Sequence, residues 1–339
     1  MKIIRWGIIG CGNVTEVKSG PGFQKANNSR LVAVMRRTGD LARDYARRHG
    51  VPRWYADAEA LIHDPEVDAV YVATPPSSHK EYTLMAARAG KPVYVEKPMA
   101  LNFEECQEMI EACRSTQVPL FVAYYRRALQ RFLKIKELLE AGLIGQVRFV
   151  TMTLCMPPRP EELEPEHLPW RVVPEIAGGG RFVDLGSHMF DFLDYVLGPI
   201  HQVSGFATNQ QNLYPAEDVV SAAFVFESGV HGVGLWNFGA FDQVDLTEIV
   251  GSRGKISFST YDARPVVLTT GEGTTEFEIG YPPHVQQPLI QTVVDDLNGI
   301  GRCPSTGESA ARTTWVMDQI LRDYRTRQLG WDFEQIVGG

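Results

Sequence analysis

Residues 2–15 read Lys2-Ile3-Ile4-Arg5-Trp6-Gly7-Ile8-Ile9-Gly10-Cys11-Gly12-Asn13-Val14-Thr15, a short apolar run that ends in two glycines. Such a run is typical of a buried strand, and glycine lets the backbone turn tightly and approach a diphosphate. The pattern is most of the fingerprint of dinucleotide-binding folds, with Thr15 in place of the third glycine. A glycine pair also occurs in ordinary turns, but its place between a strand and a predicted helix favours phosphate binding. The residues predicted to contact the cofactor here are Gly10, Gly12, Asn13 and Val14.

A second apolar run, Leu31-Val32-Ala33-Val34-Met35, follows at the distance expected for the second strand of such a fold. It ends in Arg36-Arg37-Thr38, where NAD-binding proteins carry an acidic residue for the ribose hydroxyls. A guanidinium group binds phosphate as a planar fork and can stack on adenine. Arg36, Arg37 and Thr38 therefore predict NADP as the preferred cofactor, with NAD as the second possibility. A basic loop ahead of a solvated helix at 39–49 is the alternative.

The composition limits the class of protein. The chain has 339 residues, which suggests two domains, and 41 acidic against 33 basic residues give a net charge of −8. Without a basic block, nucleic acids and anionic membranes are poor partners. The five cysteines have no Cys-x-x-Cys spacing, and no apolar stretch fits a membrane span or a signal peptide. We therefore expect a cytoplasmic protein with reduced thiols.

The order of strand and helix patterns predicts the architecture. Apolar runs such as 67–73 alternate with helical patterns such as 78–89, which favours a doubly wound parallel sheet. Later runs such as Val219–Phe226 alternate in polarity, which favours a large, mostly antiparallel open sheet. We expect an α/β chain with a Rossmann domain at 1–123 and an α+β domain at 124–339, whose C-terminal helices can pack back on the first domain. The uncovered face of the open sheet predicts a homodimer or homotetramer.

Two polar segments follow predicted strands of the first domain, at the sheet edge where such folds bind ligands. The first is Thr74-Pro75-Pro76-Ser77-Ser78-His79, whose side chains either line a cofactor or cap the next helix. The second is Glu96-Lys97-Pro98. An ammonium group there can donate a hydrogen bond to a substrate oxygen, although a surface turn marked by proline is the alternative.

A third polar segment begins with the glycines 178–180, which allow a sharp bend into a helix. Asp184, His188 and Asp191 follow at spacings of four and three, so one helical face would carry all three. A carboxylate one turn from a histidine can orient the imidazole and raise its basicity, as a general base requires. A surface histidine is the alternative. The eight histidines form no HExxH motif or Cys/His cluster, so we expect no metal site.

Together these segments resemble the glucose–fructose oxidoreductase and inositol dehydrogenase family, also called Gfo/Idh/MocA. The resemblance covers essentially the whole chain and rests on Glu-Lys-Pro at 96–98 followed by Asp-x-Gly-x-His at 184–188, with the glycine turn at 10–12 and Thr74-Pro75. It implies a Rossmann domain, a C-terminal domain whose open sheet makes dimer or tetramer contacts, and an NAD(P)-dependent redox step on a sugar, cyclitol or related polyol.

The resemblance also implies roles for individual residues. Lys97 corresponds to the active-site lysine of the family, and Asp184 and His188 correspond to its substrate-binding and acid–base pair. Tyr125 stands where relatives often carry asparagine, and it is expected to wall the substrate pocket instead. The Lys97–Pro98 peptide bond is expected to be cis, as in relatives. Residues that correspond to cofactor contacts, or that lie near cofactor or substrate in relatives, are Thr74, Pro75, His79, Glu96, Lys97, Trp170 and Arg171.

The sequence thus predicts reversible hydride transfer between a nicotinamide and a secondary alcohol or ketone. In the oxidative direction His188 takes the hydroxyl proton, Lys97 donates a hydrogen bond to the developing alkoxide, and Asp184 holds His188 or a neighbouring hydroxyl. One alternative is a glycosidase or transferase that retains its nicotinamide cofactor. Another is a non-catalytic dinucleotide-binding regulator, against which the joint presence of these three residues argues.

Overall fold

The computed structural model describes residues 1–331, which form two compact units. The first unit comprises Met1–Leu129 and Pro282–Ala311, and the second comprises Gln130–Tyr281 and the segment from Arg312 onward. The chain therefore passes between the units three times, where the sequence predicts one boundary between residues 123 and 124. Residues 332–339, the end of the predicted second domain, lie outside the described residues.

A parallel sheet forms the centre of the first unit. Its strands are β1 (Ile4–Ile9), β2 (Ser29–Met35), β3 (Arg53–Tyr55), β4 (Ala69–Val72), β5 (Val93–Val95) and β6 (Leu120–Val122). The order across the sheet is β3-β2-β1-β4-β5-β6, and every neighbouring pair is parallel. This is the doubly wound order of dinucleotide-binding folds, so the predicted Rossmann sheet is confirmed.

Helices connect these strands: α1 (Asn13–Val17), α2 (Gly20–Lys25), α3 (Gly39–His49), α4 (Ala58–Ile62), α5 (His79–Arg88) and α6 (Phe103–Ser115). The run Ser19-Gly20-Pro21-Gly22 predicts two short helical pieces after the first glycine turn, and α1 and α2 confirm them. Pro21 is tolerated only in the first turn of a helix, so it divides the segment. Asn102 caps α6, since its Oδ1 accepts a hydrogen bond from the Glu105 amide at 2.9 Å.

Both faces of the parallel sheet are buried. Successive residues of β4 alternate between two hydrophobic cores: Val70 and Val72 belong to one, and Ala69 and Tyr71 belong to the other. A strand covered on both sides needs apolar residues at every position, which explains the unbroken apolar runs in this part of the sequence.

A larger sheet forms the second unit. Its strands are β7 (Val147–Cys155), β8 (Ile200–Thr208), β9 (Val219–Phe226), β10 (His231–Asn237), β11 (Val244–Gly251), β12 (Gly254–Phe258), β13 (Val266–Thr270) and β14 (Gly273–Phe277). Their order is β14-β13-β12-β11-β7-β10-β9-β8. Only β7 and β10 pair in parallel, so the predicted, mostly antiparallel sheet is confirmed.

One face of this sheet carries a helix. The second unit contains α7 (Gln130–Glu140), α8 (Pro174–Ala177) and α9 (Ser187–Leu197), and the chain continues with α10 (Gln287–Leu297) and α11 (Gly307–Tyr324). Phe190 of α9 packs against Phe224 and Trp236 of the sheet, with ring centroids 5.3 Å apart in both pairs. Aromatic packing thus fixes α9 on the inner face of the sheet.

The opposite face of the eight-stranded sheet, the outer face, carries exposed apolar side chains. Phe206, Leu235 and Leu246 are 78%, 42% and 39% exposed. The strand register places them in one row, with Ser221 and Thr153 between them. Within residues 1–331, no helix combines the length and the apolar character that a membrane span requires.

Candidate functional site

The first glycine turn joins the ends of three strands. The amides of Gly10 and Cys11 donate to the carbonyl of Met35 at the end of β2, at 2.9 and 3.1 Å. Gly10 has a φ of +92°, and a Cβ at this position would lie 2.9 Å from the Thr74 amide nitrogen that follows β4. Only glycine fits here, because both the backbone angle and the close approach exclude a side chain.

Gly12 is different from Gly10, because the fold itself does not require a glycine there. Among the described residues, a Cβ at Gly12 would meet only the Gly10 carbonyl oxygen, at 3.8 Å. The helix α1 starts at the next residue, and the amides of Asn13 and Val14 lie in its first turn, where a helix has no acceptor of its own. The turn therefore offers open space beside backbone donors, which fits a diphosphate.

The basic segment that follows β2 is exposed. Arg36, Arg37 and Thr38 all face solvent. Among residues 1–331, no ion pair occupies the two guanidinium groups, whereas Arg43 of the following helix pairs with Asp40 at 3.0 Å. Arg36 and Arg37 are therefore available to an anion at the adenosine end of a cofactor.

His79 connects the two polar segments that follow β4 and β5. Its side chain is fully buried, with Nε2 2.8 Å from the Thr74 carbonyl oxygen and Nδ1 3.0 Å from that of Pro98. Burial lowers the pKa of the imidazole below its ordinary value. In this arrangement His79 holds the two segments together. We therefore expect His79 to affect cofactor binding indirectly, by positioning Thr74, Pro75 and the 96–98 segment.

Glu96 is the centre of a buried polar network. Its Oε1 accepts hydrogen bonds from the Tyr71 hydroxyl and the Gln286 side-chain amide, both at 2.5 Å. Its Oε2 accepts one from the Lys97 backbone amide at 3.1 Å. Burial, together with the Glu96 charge, raises the pKa of Tyr71 well above its ordinary value, so the phenol stays a donor. The network fixes the backbone from which the Lys97 side chain extends.

Lys97 and Tyr125 are both half-buried in the first unit. The Lys97–Pro98 peptide bond is cis, as predicted. Tyr125 begins a short turn after β6, and the Arg126 guanidinium lies over its ring, 5.1 Å from the centroid. The aromatic ring therefore occupies a defined position, while its predicted contact with substrate stays a prediction.

In the second unit, Glu217 shapes the glycine turn ahead of α9. Its buried carboxylate accepts a hydrogen bond from the Gly180 amide at 2.8 Å. A Cβ at Gly180 would lie 2.7 Å from the Glu217 carbonyl oxygen, so only glycine fits. Arg325 donates to the Gly178 carbonyl, two residues earlier in the same turn.

Burial raises the pKa of Glu217 from 4.5 to about 7. The folded chain therefore keeps the Glu217 proton at pH values where the unfolded chain has lost it. The contribution of this group to the free energy of unfolding is thus present at low pH and is lost as the pH rises from about 4.5 to about 7.

The segment that carries Asp184 and His188 is not one continuous α-helix. Phe182–Gly186 forms a π-helical turn, and α9 begins only at Ser187. Asp184 therefore lies in the π turn, whereas His188 and Asp191 lie in α9. His188 is 4% exposed and Asp191 is fully buried, so the alternative of a surface histidine is wrong. Single π turns within helices occur frequently at functional sites.

Arg171 brings a further predicted segment to this helix. Its Nε lies 3.5 Å from Oδ2 of Asp184, and its guanidinium stacks over the Trp170 ring, 4.3 Å from the centroid. Trp170 and Arg171 thus lie beside Asp184 in the second unit, in front of the segment that also carries His188. The predicted residues from Gly10 to Lys97 follow the carboxyl ends of strands of the first unit.

Two residues that contact the predicted site residues could not be identified from the sequence around them. Gln286 completes the Glu96 network, and Tyr261 contacts the Asp184–His188 segment. Each lies in a stretch that matches no sequence motif. Within residues 1–331, no group of three or more metal-binding side chains is present.

Comparison with known proteins shows which protein family the chain resembles. Residues 4–124 match the family described as oxidoreductase family, NAD-binding Rossmann fold, and residues 132–257 match the GFO/IDH/MocA C-terminal domain. Oxidoreductase P35 of Formosa agariphila is 43% identical over 93% of this chain and 97% of that protein. Myo-inositol 2-dehydrogenase of Thermotoga maritima is 31% identical over 80% of this chain and 79% of that protein.

Among solved structures, aldose–aldose oxidoreductase of Caulobacter crescentus, complexed with glycerol, has a TM-score of 0.84 at 24% identity. The match covers 98% of this chain and 99% of that chain, and it shows a shared fold. Family models thus match both the N-terminal and the C-terminal part of the chain. The chain is therefore a dehydrogenase or reductase that binds a nicotinamide cofactor, and it belongs to the Gfo/Idh/MocA oxidoreductase family.

Proposed function

We propose that the chain transfers a hydride between NADP and a secondary alcohol or ketone of a sugar, cyclitol or related polyol. The observation that carries the proposal is the joint presence, in a member of this family, of Lys97 at the end of β5 and of the buried His188 at the start of α9. The names of two similar proteins support the substrate class, since one is an inositol dehydrogenase and the other an aldose–aldose oxidoreductase.

The chemistry follows from these side chains. A bound nicotinamide supplies or accepts the hydride. During oxidation His188 takes the proton from the substrate hydroxyl, and during reduction it returns a proton to the same oxygen. Lys97 donates a hydrogen bond to that oxygen and stabilises the negative charge that develops on it. Asp184, paired with Arg171, orients His188 or a neighbouring substrate hydroxyl.

NADP preference is supported by the exposed segment after β2. The 2′-phosphate of NADP carries the charge that Arg36 and Arg37 can bind, and both guanidinium groups lack an internal carboxylate partner among residues 1–331. The open space beside Gly12 and the amides of Asn13 and Val14 supports diphosphate binding at the other side of the turn.

Replacing both arginines tests this preference. For the double variant Arg36→Ala/Arg37→Ala we expect the KM for NADPH to rise about tenfold or more. The variant loses the hydrogen bonds to the 2′-phosphate, and a hydrogen bond to a charged group contributes roughly 1.5–3 kcal/mol. The KM for NADH should change less than about twofold, since NADH has no 2′-phosphate. Arg43→Ala is the matched control, because Arg43 is exposed but paired with Asp40. Equal effects on both cofactors would contradict the preference.

The function is tested by following NADPH oxidation and NADP reduction over a panel of polyols, cyclitols and keto-sugars, with NAD and NADH in parallel. Turnover with stoichiometric cofactor conversion on at least one compound is the expected result. Product formed without net cofactor conversion would instead favour the glycosidase or transferase that retains its nicotinamide. Cofactor binding without turnover across the panel would count against the proposed substrate class.

We also propose that copies of the chain associate through the outer face of the eight-stranded sheet. A row of exposed apolar side chains on an open sheet is typical of a surface that another subunit covers. Light scattering should give a mass of two or four times 37.9 kDa. The variant Leu235→Glu should lower that mass, whereas a monomer in the unmodified protein would contradict the proposal.

A cytoplasmic location is proposed from the cysteines. None of the five cysteines, all of which lie within residues 1–331, forms a disulfide, and four of them are buried. Cysteines without disulfides are typical of a reducing compartment.

A further inference from the structure

The turn after β12, residues 259–262, is held by a buried carboxylate. Asp245 of β11 is 1% exposed. It accepts hydrogen bonds from the backbone amides of Thr260 at 3.0 Å and Tyr261 at 2.7 Å, and from the Ser259 hydroxyl. Such charge-assisted bonds in a buried position fix the backbone of the turn and therefore the direction of the Tyr261 side chain.

A buried arginine holds the same turn from a second element. Arg131 of α7 is 1% exposed, and its Nη2 donates to the carbonyls of Ser259 at 3.2 Å and Arg264 at 2.9 Å. The Arg264 side chain in turn donates to the Asp245 carbonyl at 2.6 Å. Two buried charged residues thus order a turn that connects two strands, which is more support than an ordinary surface turn requires.

Tyr261 extends from this turn to the segment that carries Asp184 and His188. Its hydroxyl donates a hydrogen bond to the carbonyl of Leu185, within the π turn. Its ring lies edge-on to the His188 imidazole, with centroids 6.5 Å apart and planes at 73°. One side chain therefore contacts the segment at two points, one directly after Asp184 and one at His188 itself.

We propose that Tyr261 is a positioning residue for His188. This inference rests on the proposed function of His188 as the group that takes and returns the substrate proton. The hydroxyl of Tyr261 anchors the π turn, and its ring limits the rotation of the imidazole. Proton transfer requires the imidazole within hydrogen-bond reach of the substrate oxygen, and a displacement of about 1 Å can lower the rate about a hundredfold.

The test is Tyr261→Phe, which removes the hydrogen bond to Leu185 and keeps the aromatic ring. We expect kcat to fall about tenfold, while the KM for NADPH changes less than about twofold, because the cofactor contacts of the first unit are untouched. The matched control is Tyr281→Phe. The Tyr281 hydroxyl donates to the Thr260 carbonyl of the same turn at 3.3 Å, and we expect that variant to keep the unmodified kcat.

A spectroscopic readout separates positioning from a merely structural role. In protein labelled with ¹³C at histidine Cε1, the His188 signal is assigned as the one that disappears in His188→Gln. We expect this signal to shift in Tyr261→Phe and to stay in place in Tyr281→Phe, with the thermal midpoint of unfolding measured for both. An unmoved His188 signal, or an unchanged kcat, in Tyr261→Phe overturns the proposal.

The spectrum also distinguishes this proposal from the proposed function. If His188 were not the proton-transferring group, His188→Ala would keep its activity, and the proposed function would fail. The His188 signal in Tyr261→Phe would then still decide whether Tyr261 fixes the imidazole, since that measurement requires no turnover.

Discussion

His188→Ala is expected to lower kcat by about a hundredfold or more, in both the oxidative and the reductive direction. General acid–base catalysis by a positioned side chain contributes typically 10²–10⁴-fold, and alanine leaves no group to exchange the proton. The effect should fall on kcat, while the KM for the cofactor stays within about twofold, because the cofactor-binding strands belong to the other unit.

The matched control for this variant is His201→Ala. His201 is exposed on β8 of the same unit, so its loss should leave turnover unchanged. Steady-state kinetics on the best substrate of the panel provides the measurement. A near-normal kcat in His188→Ala would show that His188 does not transfer the substrate proton.

Lys97→Ala is the second variant for which we expect a large effect, a fall in kcat of about 10²-fold. Removing one donor to a developing oxyanion costs about 10²–10³ in kcat in other enzymes. The structure allows this loss to be separated from unfolding, because the Glu96 network contacts the backbone amide of Lys97, which alanine retains. The thermal midpoint of unfolding is measured beside kcat, so that a loss of turnover can be compared with any loss of stability.

Lys80→Ala serves as the control for Lys97→Ala. Lys80 lies on α5 of the same unit and forms salt bridges with Glu105 and Glu108, so it has a surface role. We expect its turnover to equal that of the unmodified chain. Should Lys97→Ala also turn over normally with an intact fold, the lysine would have no part in stabilising the substrate oxygen.

Local patterns predicted most of the fold. The strand before Gly10 and the divided helix after it follow from an apolar run, two glycines and Pro21, all within one short stretch. The six parallel strands follow from the alternation of apolar runs and helical patterns, because strands buried on both faces are uniformly apolar. Such features depend on neighbouring residues, and a single sequence contains them.

The candidate site was less predictable, because its supporting contacts join distant residues. Gln286 is 190 positions from Glu96, and Tyr261 is 76 positions from Leu185. The spacing of Asp184 and His188 fits an α-helix equally well, so the π turn between them has no signature in the sequence. His79 was predicted to line the cofactor, but its burial against two carbonyl groups depends on how β4 and β5 pair.

The threefold passage of the chain between the units has a consequence for synthesis on the ribosome. Helix α10 contributes four apolar side chains to a hydrophobic core of the first unit that also contains residues of β1. These side chains are Leu289, Ile290, Val293 and Val294. Gln286, from the same late segment, supplies a hydrogen bond to the buried Glu96 carboxylate. A nascent chain released only as far as residue 129 thus lacks the α10 side chains of this core and the Gln286 donor to Glu96. The first 129 residues can reach their final packing only after the segment from Pro282 to Ala311 has emerged.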